Sequence, residues 1–173
     1  MVGEGKITLR AIERKDLDLI QTWRNDESLR KYFREYRDFS LDQINAWYNE
    51  MIQNKNFEMF VICENDKPVG VSGLTYIDWI NRHADVHFYI GKNRAWIDNE
   101  ISPSAIDLIL TYGFDKLNLN KLWVELYEID KKKLAFFKEK NFKQDAVLRE
   151  HYFYDGKYYS SIILSLLKKD YIQ

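Results

Sequence analysis

Hydrophobic residues recur along this chain with two different periods, and the changes of period divide it into elements. Residues 6–12 alternate apolar and polar positions, which predicts a strand. Asp16 then precedes Leu17, Leu19, Ile20 and Trp23 at helical spacing, so a helix capped by Asp16 is expected. Ser40 heads a second helical stretch with Leu41, Ile44, Trp47, Tyr48 and Met51 on one face. Gln43, three residues on, completes a capping-box pattern. From Phe57 the period shortens. Residues 57–64 and 69–77 predict two strands joined at the turn Asn65-Asp66-Lys67-Pro68, and 83–90 predict another. Pro103 suits the first turn of a long helix capped by Ser102 that buries Ile106, Ile109, Leu110, Phe114 and Leu117. A strand at 121–129 follows, then a helix capped by Asp130 that carries Leu134, Phe136 and Phe137. Residues 147–154 and 157–167 predict a closing hairpin across Asp155-Gly156.

The predicted order is β, α, α, β, β, β, α, β, α, β, β. Consecutive hairpins imply antiparallel pairing, and the strand–helix–strand unit across 83–129 implies one parallel pair. A mixed sheet with helices on both faces follows, an α/β (α+β) fold. No repeat or flexible linker interrupts the chain, so residues 1–173 are expected to form one domain.

Composition narrows the function. The formal net charge is −1, which supplies no excess positive charge to neutralise phosphates, so no nucleic-acid partner is expected. The run Lys131-Lys132-Lys133 reads as a solvated helix face. Cys63 is the only cysteine; among Phe60, Val61 and Ile62 it reads as a buried strand residue rather than a nucleophile. The N-terminal residues lack the apolar core of a signal peptide, and no apolar run approaches the ~18 residues of a membrane span. A soluble, cytoplasmic protein with no membrane partner is expected. His83 and His151 stand in no metal-like spacing, so no metal site is expected.

Several short segments carry a family resemblance. They are Leu9-Arg10, Asp16-Leu17, Trp23-Arg24-Asn25-Asp26, Pro68-Val69-Gly70 with Gly73, and Ala84-Asp85-Val86 before Phe88-Tyr89-Ile90. Further on come Tyr112-Gly113-Phe114, Leu119-Asn120-Lys121-Leu122 and Lys138 to Phe142. In this order they resemble the GNAT acyltransferases, in the branch that acetylates ribosomal-protein N-termini, spermidine and nucleotide-linked amino sugars. The resemblance implies the GNAT fold: a twisted, mostly antiparallel sheet of about seven strands, splayed between strands 4 and 5. It implies acetyl-CoA as co-substrate, with its pantetheine laid along strand 4 and its diphosphate on N–H groups at the next helix start. A helix N-terminus favours an anion for general reasons. The matching cofactor positions are Tyr89, Ile90, Gly91, Lys92, Arg94, Ala95, Trp96, Ser102, Ser104, Ala105, Asp130, Lys133 and Phe137. Main-chain N–H groups around Tyr89 and Ile90 would stabilise the oxyanion.

The chain departs from the family in two places. Residues 92–101 hold no glycine after Gly91, and they add Asp98 and Glu100, which would repel a diphosphate; Lys92 and Arg94 would offset them. Where the family carries a Tyr that protonates the departing thiolate, Phe137 stands and has no proton to give. Acetyl transfer to a neutral amine needs a base and N–H donors for the oxyanion. Asp85 and His87 lie two apart on a strand and share a face, so either is a candidate base. Glu125 and Tyr127 share a face on the next strand, with Tyr127 the candidate acid. Substrate contacts are expected from Trp23, Arg24, Asn25, Tyr32, Phe33 and Trp79 as well as Glu125. The aromatic cluster at 151–154 and 158–159 suits a stacked sugar or base, a hairpin face or a homodimer seam. The expected function is N-acetylation of a small amine, an amino sugar or a peptide N-terminus by direct transfer. The other reading is a non-catalytic module of the same fold that has lost the cofactor.

Overall fold

The computed structural model describes residues 6–171. Its strands are β1 (Ile7–Ala11), β2 (Glu58–Glu64), β3 (Lys67–Asp78), β4 (His83–Ile90), β5 (Lys121–Tyr127), β6 (Lys143–Tyr154) and β7 (Lys157–Leu167). Its helices are α1 (Leu17–Asn25), α2 (Glu27–Arg30), α3 (Leu41–Met51), α4 (Ser102–Thr111) and α5 (Lys131–Glu139). One sheet runs in the order β1-β2-β3-β4-β5-β7-β6. All its neighbours are antiparallel except β4 and β5.

The sheet is covered on both faces. Alternate residues of one strand therefore enter different cores, and a strand such as Phe60-Val61-Ile62-Cys63 reads as a continuous apolar run. Phe60, Ile62, Phe88 and Ile90 pack under α4 and α5 with Ile106, Leu110, Phe114 and Phe137. Val61, Cys63, Val71 and Tyr89 pack under α1–α3 with Ile20, Trp23, Phe33 and Ile44. Asp85 and His87 share the parity of Tyr89, so they face α1–α3.

Local chemistry fixes several boundaries. Ser40 and Gln43 close a reciprocal capping box, Gln43 N–H to Oγ at 3.2 Å and Ser40 N–H to Oε1 at 2.8 Å. Asn65 and Asp66 both take positive φ, as do Asp155 and Gly156, the two-residue geometry that matches strand twist. Lys67 and Pro68 thus already belong to β3, and the register slips opposite Cys63 where Pro68 cannot donate. The Asp16 side chain does not cap α1. Its carboxylate is held by Arg10 in a two-pronged pair at 2.7 Å and by the Glu13 N–H. The short helix α2, absent from the periodic reading, is capped by Asp26, which accepts the Ser28 N–H at 2.9 Å. β5 ends at Tyr127, two residues early, because Asp130 N–H turns back to the Tyr127 carbonyl at 2.8 Å.

Candidate active site

β4 and β5 pair only through His83–Lys121, Ala84–Leu122 and Asp85–Trp123. Beyond Asp85 the strands part. The opening holds a cavity of about 370 Å³ bounded by β4, β5, α1 and the segment 31–40. Side chains of Asp85, His87 and Tyr89 line it from β4, and Glu125 and Tyr127 from β5.

Arg34 ties the two strands together. Its guanidinium lies 3.0 Å from both Asp85 and Glu125. Its segment is pinned to α1, since the Asn25 amide accepts the Phe39 N–H and donates to the Phe39 carbonyl, each at 2.9 Å. Tyr152 holds the other end by donating to the Lys31 carbonyl at 2.8 Å. Burial pushes the Asp85 carboxyl above its ordinary range, with the Arg34 charge opposing. Burial pushes the His87 imidazole down to about 3, helped by the charges of Arg24, Lys133 and Arg34. His87 is therefore neutral throughout the physiological range. Tyr127 stacks on Tyr152 with ring centres 3.7 Å apart, and burial pushes its phenol up to about 12. The buried Tyr89 hydroxyl has no hydrogen-bond partner among the described residues.

Lys133 departs from the rest of its lysine run. Lys131 and Lys132 are exposed, but Lys133 is 5 % exposed and turns into the opening, where its ammonium donates to the Phe88 carbonyl. The same ammonium lies 4.0 Å from the Trp96 ring centre. Burial lowers its pKa to about 8, partly offset by Asp130 and Asp85. Trp96 itself fills the upper part of the opening. Its backbone exchanges two 2.9 Å bonds with Ile90, its indole N–H donates to Asp130 at 2.6 Å, and its ring stacks on Tyr32. Asp130 also caps α5 by accepting the Lys133 N–H.

The turn from Gly91 to Ser102 makes its own anion contact. The Asp98 carboxylate accepts N–H groups of Glu100, Ile101 and Ser102 at 3.0, 2.6 and 3.0 Å. The Ser102 hydroxyl accepts the Asp98 N–H in return. Ser102 lies inside the first turn of α4 and is not its cap. Asp98 thus fills the amide nest beside the α4 N-terminus, and a diphosphate would have to displace it. The remaining surface is a groove of about 740 Å³ past Lys92, Ile97, Glu100, Lys132 and Phe136. Lys92 is paired with Glu64 at 2.6 Å and Arg94 with Asp26 at 2.8 Å, so both cations already have carboxylates. An extended acyl arm along β4 would follow the edge that Trp96 takes at Ile90, and the nest fits a diphosphate only after the turn rearranges.

Some expected positions fall elsewhere. Trp23 belongs to the α1 core, its ring against the backbone of Gly91; a Cβ at Gly91 would come within 2.1 Å of it. Gly91 is therefore required by an indole. Asn25 orders the 31–40 segment and does not line the cavity. Trp79 is 45 % exposed and donates to the Lys55 carbonyl away from the opening. Phe137 is fully buried between Phe136 and Phe142, outside the cleft. Ala105 lies in the core with its N–H given to Ile101, while Ser104 is exposed. The oxyanion donors also move. Ile90 N–H is taken by Trp96, and strand alternation turns the Tyr89 N–H towards β3. The N–H on the open side is that of Phe88. Arg24, Tyr32, Phe33 and Glu125 line the cavity as expected, but Arg34 carried no periodic signal.

Comparison with known proteins agrees with this geometry. The model of the acetyltransferase (GNAT) domain matches residues 6–143. A spermidine N(1)-acetyltransferase of Vibrio cholerae is 27% identical over 168 residues, covering 96% of each chain. A putative ribosomal N-acetyltransferase of Bacillus subtilis is 23% identical, over 95% of this chain and 93% of its own. The crystal structure of the Vibrio cholerae spermidine N-acetyltransferase in complex with CoA and spermine superposes with a TM-score of 0.88, covering 95% of this chain and 97% of that one. The chain belongs to the GNAT acetyltransferase family and is an acyl-CoA-dependent N-acetyltransferase that uses acetyl-CoA as co-substrate.

Proposed function

We propose that this enzyme acetylates a primary amine on a small molecule, an amino sugar or a peptide N-terminus by direct transfer in the β4–β5 opening. The observation that carries this is the separation of the two strands beyond Asp85 over a cavity lined by titratable groups. The open edge of β4 offers the Phe88 N–H to the developing oxyanion. Of the two candidate bases, Asp85 is favoured, because burial raises its proton affinity while that of His87 is lowered. His87 stays a neutral acceptor that orients the amine. As nitrogen bonds to the carbonyl carbon and the carbon–sulfur bond breaks, the amine proton passes to Asp85. The thiolate takes a proton from a donor bordering the opening. Tyr127 and Lys133 both border it, and an acid near 8 matches a thiol better than one near 12.

The occupied nest and the inserted Trp96 mean that acetyl-CoA enters this cavity only by displacing Asp98 and the indole. A thermal scan tests that entry. Acetyl-CoA at a hundred times its Kd should stabilise the fold by about 2.7 kcal/mol. No shift at millimolar acetyl-CoA removes the transfer reaction from this cavity. The homodimer expected from the aromatic hairpin is also a proposal, with Val147, Leu148, Phe153 and Tyr158 as its exposed apolar surface.

A further inference from the structure

The charges that line the cavity are unevenly paired. Asp85 and Glu125 are both engaged by one guanidinium, that of Arg34, at 3.0 Å each. Glu35 at the rim is turned to Arg37 at 2.8 Å. Two cations remain without a carboxylate within salt-bridge reach among the described residues. One is Lys133, bound to the Phe88 carbonyl at the floor of the opening. The other is Arg24, which enters from α1. Its guanidinium lies 3.8 Å over the Phe33 ring and 5.1 Å from that of Phe39, and among the described residues it donates one hydrogen bond, to the Glu35 carbonyl at 3.0 Å. A guanidinium has five N–H donors in a planar fork suited to carboxylate or phosphate. Phe33 and Phe39 fix the plane of this one and leave most of its donors unused.

We infer that Arg24 is the anion subsite of the acceptor pocket, and that the amine substrate also carries a carboxylate or phosphate group. This rests on reading the cavity as the acceptor site. His87, between the two strands' charges, registers the same positive field: Arg24, Lys133 and Arg34 all depress its protonation and no carboxylate offsets them. A polyamine would bring further ammonium groups to a pocket whose two carboxylates are already engaged by the Arg34 guanidinium. A cavity of about 370 Å³ accepts a small anionic amine whole, or the amine end of a larger one.

Matched acceptors test the inference with acetyl-CoA as donor. Phosphoethanolamine against ethanolamine tests phosphate, β-alanine against propylamine tests carboxylate, and spermidine is the polycation. The expected result is at least a tenfold higher kcat/KM for the anionic member of one pair, with the pair showing which anion is preferred. Arg24→Gln should bring that ratio close to one, and Arg24→Lys should keep part of it. A ratio within a single preparation is insensitive to partial unfolding, which a loss of packing alone would produce. Preference for the anion-free amines or spermidine overturns the inference, as does a ratio unchanged in Arg24→Gln. Acetyl-CoA binding without turnover of any anionic amine overturns it alone. Absence of acetyl-CoA binding overturns the underlying reading and the inference with it.

Discussion

Single residues decide how protons move in this cleft. Lys133 is the clearest case, because its ammonium is held in the opening by the Phe88 carbonyl while burial draws its pKa to about 8. Replacing it by Met keeps the stem and removes the proton. If Lys133 protonates the thiolate, kcat falls tenfold or more in Lys133→Met. The pH profile gives the sign. The ammonium is present below about pH 8 and lost above it, so wild-type kcat declines on the alkaline side and the variant lacks that limb. An alkaline limb unchanged in Lys133→Met returns the role to Tyr127. Asp85→Asn is expected to lower kcat/KM by 10²–10⁴, the usual weight of a positioned base. His87→Ala is expected to act mainly on KM, since a neutral imidazole of such low basicity takes up little of the proton at neutral pH. Steady-state kinetics on the two variants separates these outcomes.

Elements decide what the co-substrate meets. The turn before α4 satisfies its own amides with Asp98, so Asp98→Ala has two opposite effects. Losing a cap-like acceptor of three N–H groups costs about 0.5–2 kcal/mol, which lowers Tm by roughly 2–4 °C per kcal/mol. The freed amides then become available to a diphosphate, and the acetyl-CoA Kd should tighten. Calorimetric titration that shows weaker binding in Asp98→Ala would mean that the nest does not hold the diphosphate. The sequence shows why this turn was hard to read. Asp98 and Glu100 look alike as charges, yet Asp98 points inwards and Glu100 stays exposed. The elements themselves were legible wherever period or capping is local: the Ser40–Gln43 box, the Asp155-Gly156 hairpin, and the shared face of Asp85 and His87. Arg34 was not, because its place depends on Asn25 and Tyr152 holding an aperiodic segment from distant parts of the chain. Composition places Lys133 on a solvated lysine face, and the family resemblance places it against the cofactor. Only the divergence of β4 and β5 shows that it turns inwards.

At the scale of the whole molecule, Trp96 is where the two halves of the sheet are bridged above their point of separation. It joins β4 by backbone bonds to Ile90, α5 by its indole bond to Asp130, and the 31–40 segment by stacking on Tyr32 and against Phe33. Those contacts occupy the β4 edge that an acyl arm would follow, so stability and co-substrate binding compete for one residue. Trp96→Phe keeps an aromatic ring but leaves the Asp130 oxygen without its donor, at a cost of about 1–3 kcal/mol. Trp96→Gly removes the stacking as well and frees the upper opening. A graded loss of Tm is expected from wild type through Phe to Gly. The Tm gain on saturating acetyl-CoA should rise in the same order, because less of the binding energy is spent on displacing the ring. The gain measured against a non-binding nucleotide control isolates this effect from general destabilisation. If the acetyl-CoA gain falls in step with the Tm of the free protein, Trp96 is part of the bound cleft wall and does not obstruct it. In that case the ring stays in place under the acyl arm, and the Ile90–Trp96 bridge extends the sheet for the co-substrate.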